Sequence, residues 1–333
     1  ALVIGVYQIF HASINLVTYV LYRKNKIRPR FRLLLDGLVL VFLGGTSLLS
    51  STGNSVFQLF VLGAYFFLYG VSNIRDGFLF EEEIGKNHLK RRIRISLPIV
   101  LAALIPARTL AKINKFMQEN ADEREDIHLG MVKSGKTAEL EIFVHTAETS
   151  LFSAIGHVDI CYQGRVISYG NYDPSSETLF GMVGDGVLYF CDRDKYIDLC
   201  KRESQKTLFG YGIDLTPEME KAVQKKLAEL KQLTIPWEPS ADKIMTGDGK
   251  EDYTYAYKIR HETDGELYKF IKSKFKSYFV LSTNCVLLAD TIVGQAGTDI
   301  LSPKGFIAPG TYQAYLNREF EKPNSIVVSK HVY

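Results

Sequence analysis

Cysteine is scarce in this chain, and tryptophan scarcer still. Among 333 residues there are four cysteines and one tryptophan. Cys161, Cys191, Cys200 and Cys285 form no CxxC pair, and no cysteine–histidine spacing suits zinc, so neither a metal nor a cofactor is expected. An even count permits two disulfides outside the cell, and Cys191 and Cys200 can pair. Scattered buried thiols are an equal reading. A strong charge of one sign is lacking too. The net charge is +3, and no basic block is interleaved with aromatics beyond residue 115. Nucleic acid is therefore not expected as a partner. The sequence begins at Ala1, not Met, which leaves a signal peptide open.

What is present divides unevenly. The hydrophobic content of 46% is ordinary, but residues 1–113 concentrate it in long runs. A span needs about 20 apolar residues to cross about 30 Å of hydrocarbon. Leu2–Tyr22, Leu33–Leu49 and Val56–Val71 meet this. Ile95–Ala107 is short and reaches spanning length only if extended to Ile113, with Arg108 and Lys112 snorkelling. Three or four spans are expected. The first loop, RKNKIRPRFR (23–32), has six basic residues and no acid, and the third ends in KNHLKRRIR (86–94). Between them STGNS (51–55) is uncharged. Basic loops stay in the cytoplasm. If the fourth segment spans, everything after it lies outside the cytoplasm, which is the expectation; if not, it lies inside. Asp36, close to Arg32, and His11, near mid-span, read as an ion pair and a packing residue rather than as chemistry.

Residues 114–137 read as a polar linker or stalk, and residues 138–333 as a separate soluble domain. Here AELEIFVHT (138–146), HVDICYQ (157–163), RVISYGN (165–171) and GVLYFCD (186–192) alternate as strands do. Gln163-Gly164 marks a hairpin. Thr216, Pro217, Glu218 and Glu220 open a helix that runs to Leu233. DYTYAYKI (252–259) reads as a strand, and Gly265–Lys276 and Asn284–Val293 as helices. In SPKGFIAPGTYQAYLNREF (302–320), turn residues precede a short amphipathic helix that can form a lip beside a site. The class is α+β, a small antiparallel sheet with packed helices.

Two segments carry candidate chemistry. In YFVLSTNCVLLADTIVG (278–294), Ser282, Thr283 and Asn284 can each cap the helix, which places Cys285 in its first turn. Free N–H groups and the positive end of the helix dipole favour a reactive thiolate there. A buried structural cysteine is the bland alternative. In SAIGHVDICYQGRVISYGNYD (153–173), His157 opens a strand straight after Gly156. A histidine at a strand edge facing a helix N-terminus is what a Cys–His pair requires. A third group should hold the imidazole in one tautomer. Asn171, Tyr169 and Ser168 are candidates from the next strand, and Asp159 shares the His157 face. His145, which ends a strand, is a rival to His157.

The order Gly156-His157, hairpin, then a distant Asn284-Cys285 resembles the circularly permuted branch of the NlpC-like papain-fold superfamily. Lecithin retinol acyltransferase, phospholipid acyltransferases and bacterial envelope families belong to that branch. The resemblance covers about residues 138–320. It implies a permuted papain-like sheet, a Cys285 nucleophile, His157 as acid and base, and a polar third member from Ser168, Tyr169 or Asn171. It also implies an oxyanion donor from the Cys285 amide or Tyr278.

Three functions follow. One is a membrane-embedded thiol acyltransferase or acyl hydrolase acting on lipid or lipoprotein acyl groups at the outer bilayer surface. Another is a membrane-anchored cell-wall peptidase or amidase. The last is a non-catalytic sensor or assembly domain, in which His157 and Cys285 lie more than about 6 Å apart.

Overall fold

Two apolar runs at the start of the chain form helices α1 (Leu2–Lys24) and α2 (Phe31–Leu49). The computed structural model describes residues 2–28, 30–49, Val56, Leu59, Phe60, Gly63, Phe67, 131–132, 138–145, 156–204, 207–245, 251–294, 309–322 and 325–333. The chain divides into two compact units. Among the described residues one helix, α2, is long and apolar enough to cross a membrane. The expected spans Val56–Val71 and Ile95–Ala107 lie outside the described residues, apart from the five single positions named above. So does the expected linker, apart from Met131 and Val132.

Small residues let α1 and α2 pack closely and antiparallel. A Cβ at Gly37 would lie 2.8 Å from Leu16, and one at Gly44 would lie 2.9 Å from Ile9. Such small-residue seams let helices approach where no hydrophobic effect drives them together. The outer face of α2 keeps Leu35, Leu38 and Phe42 exposed. Arg32 and Asp36 pair at 3.7 Å, as their spacing suggests, and His11 stands beside Tyr7 with ring centroids 6.0 Å apart.

The second unit is α+β. Its strands are β1 (Met131–Val132), β2 (Leu140–His145), β3 (His157–Tyr162), β4 (Arg165–Gly170), β5 (Val183–Asp185), β6 (Val187–Asp192), β7 (Leu208–Ile213), β8 (Thr234–Pro236), β9 (Lys243–Met245), β10 (Glu251–Tyr253), β11 (Glu266–Phe270), β12 (Ser277–Phe279) and β13 (Val327–Val332). Its helices are α3 (Arg193–Ser204), α4 (Pro217–Lys231), α5 (Tyr255–Glu262), α6 (Cys285–Val293) and α7 (Pro309–Glu321). Nine strands form one antiparallel sheet in the order β1-β13-β7-β2-β3-β4-β6-β11-β8. The sheet is larger than expected, because β7, β11 and β13 join it.

The strand pleat sorts side chains between two cores. Leu140, Ile142, Val144, Val158, Ile160, Ile167 and Tyr169 pack with α4, α6 and α7. Phe143, Cys161, Val166, Tyr189 and Cys191 pack with α3 and α5. The hairpin after β3 turns at Gln163 (φ 51°) and Gly164 (φ 73°), the two left-handed positions of a tight β-turn. Two expected elements change type. Gly265–Lys276 does not form a helix; Glu266–Phe270 is strand β11, alternating between faces and paired on both sides by β6 and β8. In DYTYAYKI only Glu251–Tyr253 is extended. The Thr254 side chain accepts from the Tyr257 amide and starts α5, whose Ala256 and Ile259 are buried at helical spacing.

Candidate active site

The reactive end of α6 is built by its cap. Asn284 Oδ1 accepts from the Leu287 amide at 3.1 Å, and its Nδ2 donates to the Val280 carbonyl at 3.0 Å. Of the three possible caps the chain uses Asn284, while the Thr283 hydroxyl ties back to the Ser277 carbonyl at 2.8 Å. Behind the cap, Val286, Leu288, Ala289, Ile292 and Val293 are all at most 2% exposed. Each large one contributes about 1.5–3 kcal/mol of burial, so the helix is firmly seated. Cys285 occupies its first position, where amide groups lack helical partners.

His157 begins β3 after Gly156, which takes φ 77°, a conformation glycine adopts without strain. Its Nε2 faces three oxygens. Asp159 Oδ1 lies 2.8 Å away, Ser168 Oγ 2.9 Å and the Tyr172 hydroxyl 3.0 Å. The Asp159 contact is an ion pair rather than an aligned hydrogen bond. Cys285 lies close enough to the same ring to raise its pKa. Tyr278, on β12, also lies close to Cys285; burial and then this proximity raise the tyrosine's pKa.

The ladder between β3 and β4 explains the opening. It runs from Tyr162↔Arg165 to Ile160↔Ile167 and stops. Beyond that point Ser168 and His157 meet through side chains, and the sheet is parted there.

Asp159 is 1% exposed and anchors the arrangement. Its Oδ2 lies 2.7 Å from His145 Nε2 and accepts from the Tyr196 hydroxyl at 2.5 Å. His145 stands opposite His157 in the β2–β3 register, with ring centroids 5.6 Å apart. Burial disfavours charge on His157, but the Asp159 carboxylate and then Cys285 outweigh it and hold its pKa well above the ordinary histidine value. Burial likewise works against Asp159 ionising, yet His157 and His145 together keep it well below the carboxylate range.

Each expected residue has a definite place. Cys285 and His157 are brought together. Asn171 is not at the imidazole: its Nδ2 donates to Glu177 Oε1 at 3.2 Å. Nor does Tyr169 take the third position. The pleat sends it to the opposite face from Ser168, where its hydroxyl donates to the Phe275 carbonyl at 3.0 Å and its ring lies 5.5 Å from that of Tyr278. Asp159 occupies the third position instead, with Ser168 beside it. His145, the rival histidine, belongs to the same network. Tyr172 and Tyr196 had no sequence signal, because only long-range pairing brings their hydroxyls here. All four cysteines are buried and none forms a disulfide, so Cys191 and Cys200 do not pair. Burial, reinforced by Glu141, pushes the Cys161 thiol up to about 12.

No protein family, curated protein or solved structure matches this chain. Its chemistry therefore has to be argued from the site itself. The site offers a thiol at a helix N-terminus, an imidazole with cationic character beside it, and a buried carboxylate that orients the imidazole. Thiol, imidazole and carboxylate are the groups that nucleophilic acyl transfer through a thioester requires.

Proposed function

We propose that the chain is a membrane-held thiol acyltransferase or acyl hydrolase of permuted papain-like design. The observation that supports it is the Cys285–His157–Asp159 sequence of contacts, with Asp159 fully buried. In the first step the Cys285 sulfur attacks an ester or amide carbonyl, and its proton passes to the His157 imidazole. The carbonyl oxygen gains charge against the Cys285 amide and the Tyr278 hydroxyl. As the C–O or C–N bond breaks, His157 returns the proton to the leaving alcohol or amine, and a thioester remains on Cys285. Water, an alcohol or an amine then attacks the thioester, with His157 taking the incoming proton, and the thiol is regenerated. Asp159 orients the imidazole and stabilises the imidazolium.

The acyl group comes from a lipid or lipoprotein at the outer bilayer surface. The apolar helix α2, with its outward-facing Leu35, Leu38 and Phe42, supports membrane attachment, and the further apolar runs of the sequence support three or four spans. Tyr169, Tyr278 and Phe275 form an aromatic cluster within the core on the cysteine side. The test is intact-mass analysis of the full chain after incubation with phospholipid or lipoprotein. Wild type should gain an acyl mass that hydroxylamine removes, and Cys285→Ala should not. An alanine variant with normal activity sinks the thiol mechanism.

A further inference from the structure

A turn beside the site has a composition that its backbone does not favour. Leu179, Phe180 and Gly181 all adopt left-handed φ, at 49°, 58° and 80°. Glycine or asparagine suits such positions, and bulky side chains are outliers there. Yet Phe180 is 91% exposed and Leu179 is 49% exposed. One exposed apolar residue on a surface needs no explanation. Two large ones held outward on a left-handed backbone do. The turn is not a slack loop. Thr178 and Val183 exchange backbone hydrogen bonds of 2.8 and 3.2 Å, and the Met182 amide donates to the Leu179 carbonyl at 3.2 Å.

The turn is tied to the thiol by a short path. It leads into β5, which pairs with β12 so that Gly184 faces Tyr278. The Val280 amide donates to the Met182 carbonyl at 3.0 Å, and the Val280 carbonyl accepts from the Asn284 cap of α6. Cys285 follows.

We propose that Leu179 and Phe180 form a wedge that inserts into the lipid interface and holds the mouth of the Cys285 site against the bilayer. The partner is the lipid surface itself, because α2 is long and apolar enough to cross a membrane, and exposed apolar side chains on a domain held beside a bilayer meet lipid first. Glu177, beside Gly181, is the charged group next to the tip, so the contact is apolar and zwitterionic lipid suffices. The proposal rests on the acyl-transfer reading for its purpose but not for its test.

The full chain has one tryptophan, Trp237, so a Trp237→Phe background is silent. Phe180→Trp in that background is reconstituted into phosphatidylcholine vesicles with or without bromine on the acyl chains. Bromine should quench the indole by more than half, whereas Lys221→Trp on the exposed face of α4 should be unaffected. Equal quenching at the two positions overturns the proposal. So does a blue shift at position 180 that follows protein concentration in detergent and ignores brominated lipid, since a second copy of the chain would then cover the tip. Phe180→Asp should lower turnover of a vesicle-borne ester at least tenfold, through KM, and leave turnover of a water-soluble thioester unchanged. An Asp variant with unaltered KM on vesicles refutes the wedge. Failure of the thiol chemistry would appear separately, as activity that survives Cys285→Ala while the quenching stands.

Discussion

Asp159→Asn tests the centre of the site most directly. In the wild type, Oδ2 receives the Tyr196 hydroxyl at 2.5 Å and lies 2.7 Å from His145, while Oδ1 lies 2.8 Å from His157. Asparagine keeps the shape but replaces one oxygen by an NH2 donor. Whichever way the amide turns, a donor meets a donor, and the histidines lose their counter-charge. Removing one partner of a buried ion pair costs about 3–5 kcal/mol. For a domain of this size that lowers Tm by about 6–20 °C. The pH dependence has a definite sign. The raised His157 pKa contributes stability that is fully present below its unfolded value near 6.5, and that is lost as pH rises through the folded value. The lowered Asp159 pKa contributes stability present above its unfolded value near 3.8, and lost as pH falls through the folded value. The pair is therefore at full strength from about pH 4 to 6.5. The gap in Tm between wild type and Asp159→Asn should be widest there, and should narrow progressively above pH 6.5 and below about pH 4. Calorimetry of both proteins in detergent across pH 4–9 measures it. A variant with the wild-type Tm, or a gap that does not vary with pH, refutes a charged Asp159 bound to two histidines.

Other substitutions separate the roles of its neighbours. His157→Ala should slow alkylation of Cys285 by iodoacetamide at pH 7 by about 10²-fold or more, whereas His145→Ala should slow it far less; mass spectrometry of the labelled peptide reads both, and equal effects would mean that the roles are shared. Tyr278→Phe should lower kcat by about 10²–10³ if its hydroxyl donates to the oxyanion, with KM unchanged in steady-state assays; a change confined to KM would make Tyr278 a substrate-packing residue. In the first unit, Gly37→Leu drives a side chain into Leu16 and should destabilise the α1–α2 pair by about 1–3 kcal/mol, read as earlier thermal unfolding in detergent.

Local signals carried part of this site and none of its closure. Thr216 and Pro217 start α4, Asn284 caps α6, and Gln163-Gly164 turns the hairpin, because each acts through its own few residues of backbone. GELYKF misled because its apolar residues suit a helix stripe nearly as well as a strand. Pairing with β6 and β8 decides between them, and those partners lie far away in sequence. DYTYAYKI misled the other way: its tyrosines alternate, but the Thr254 cap holds the backbone helical after Tyr253.

Asp159 is the instructive residue, because the sequence placed it on the correct face and still ranked it below its neighbours. Period-two alternation puts Asp159 and His157 on one side of β3, and nothing local says which other side chains arrive there. His145 arrives because β2 pairs with β3 in a register that sets the two histidines opposite each other. Tyr196 comes from α3, packed on that face. Ser168 and Tyr172 follow from the β4 strand and the loop after it. A buried carboxylate is tolerable only when such partners are present, so its function as an orienting group and its burial have a single cause. The same reasoning disposes of Asn171 and Tyr169. They are near His157 in sequence, but one is turned toward Glu177 and the other lies across the sheet. The β3–β4 ladder ends at Ile160, three residues short of His157, and beyond it His157 meets Ser168 through side chains instead.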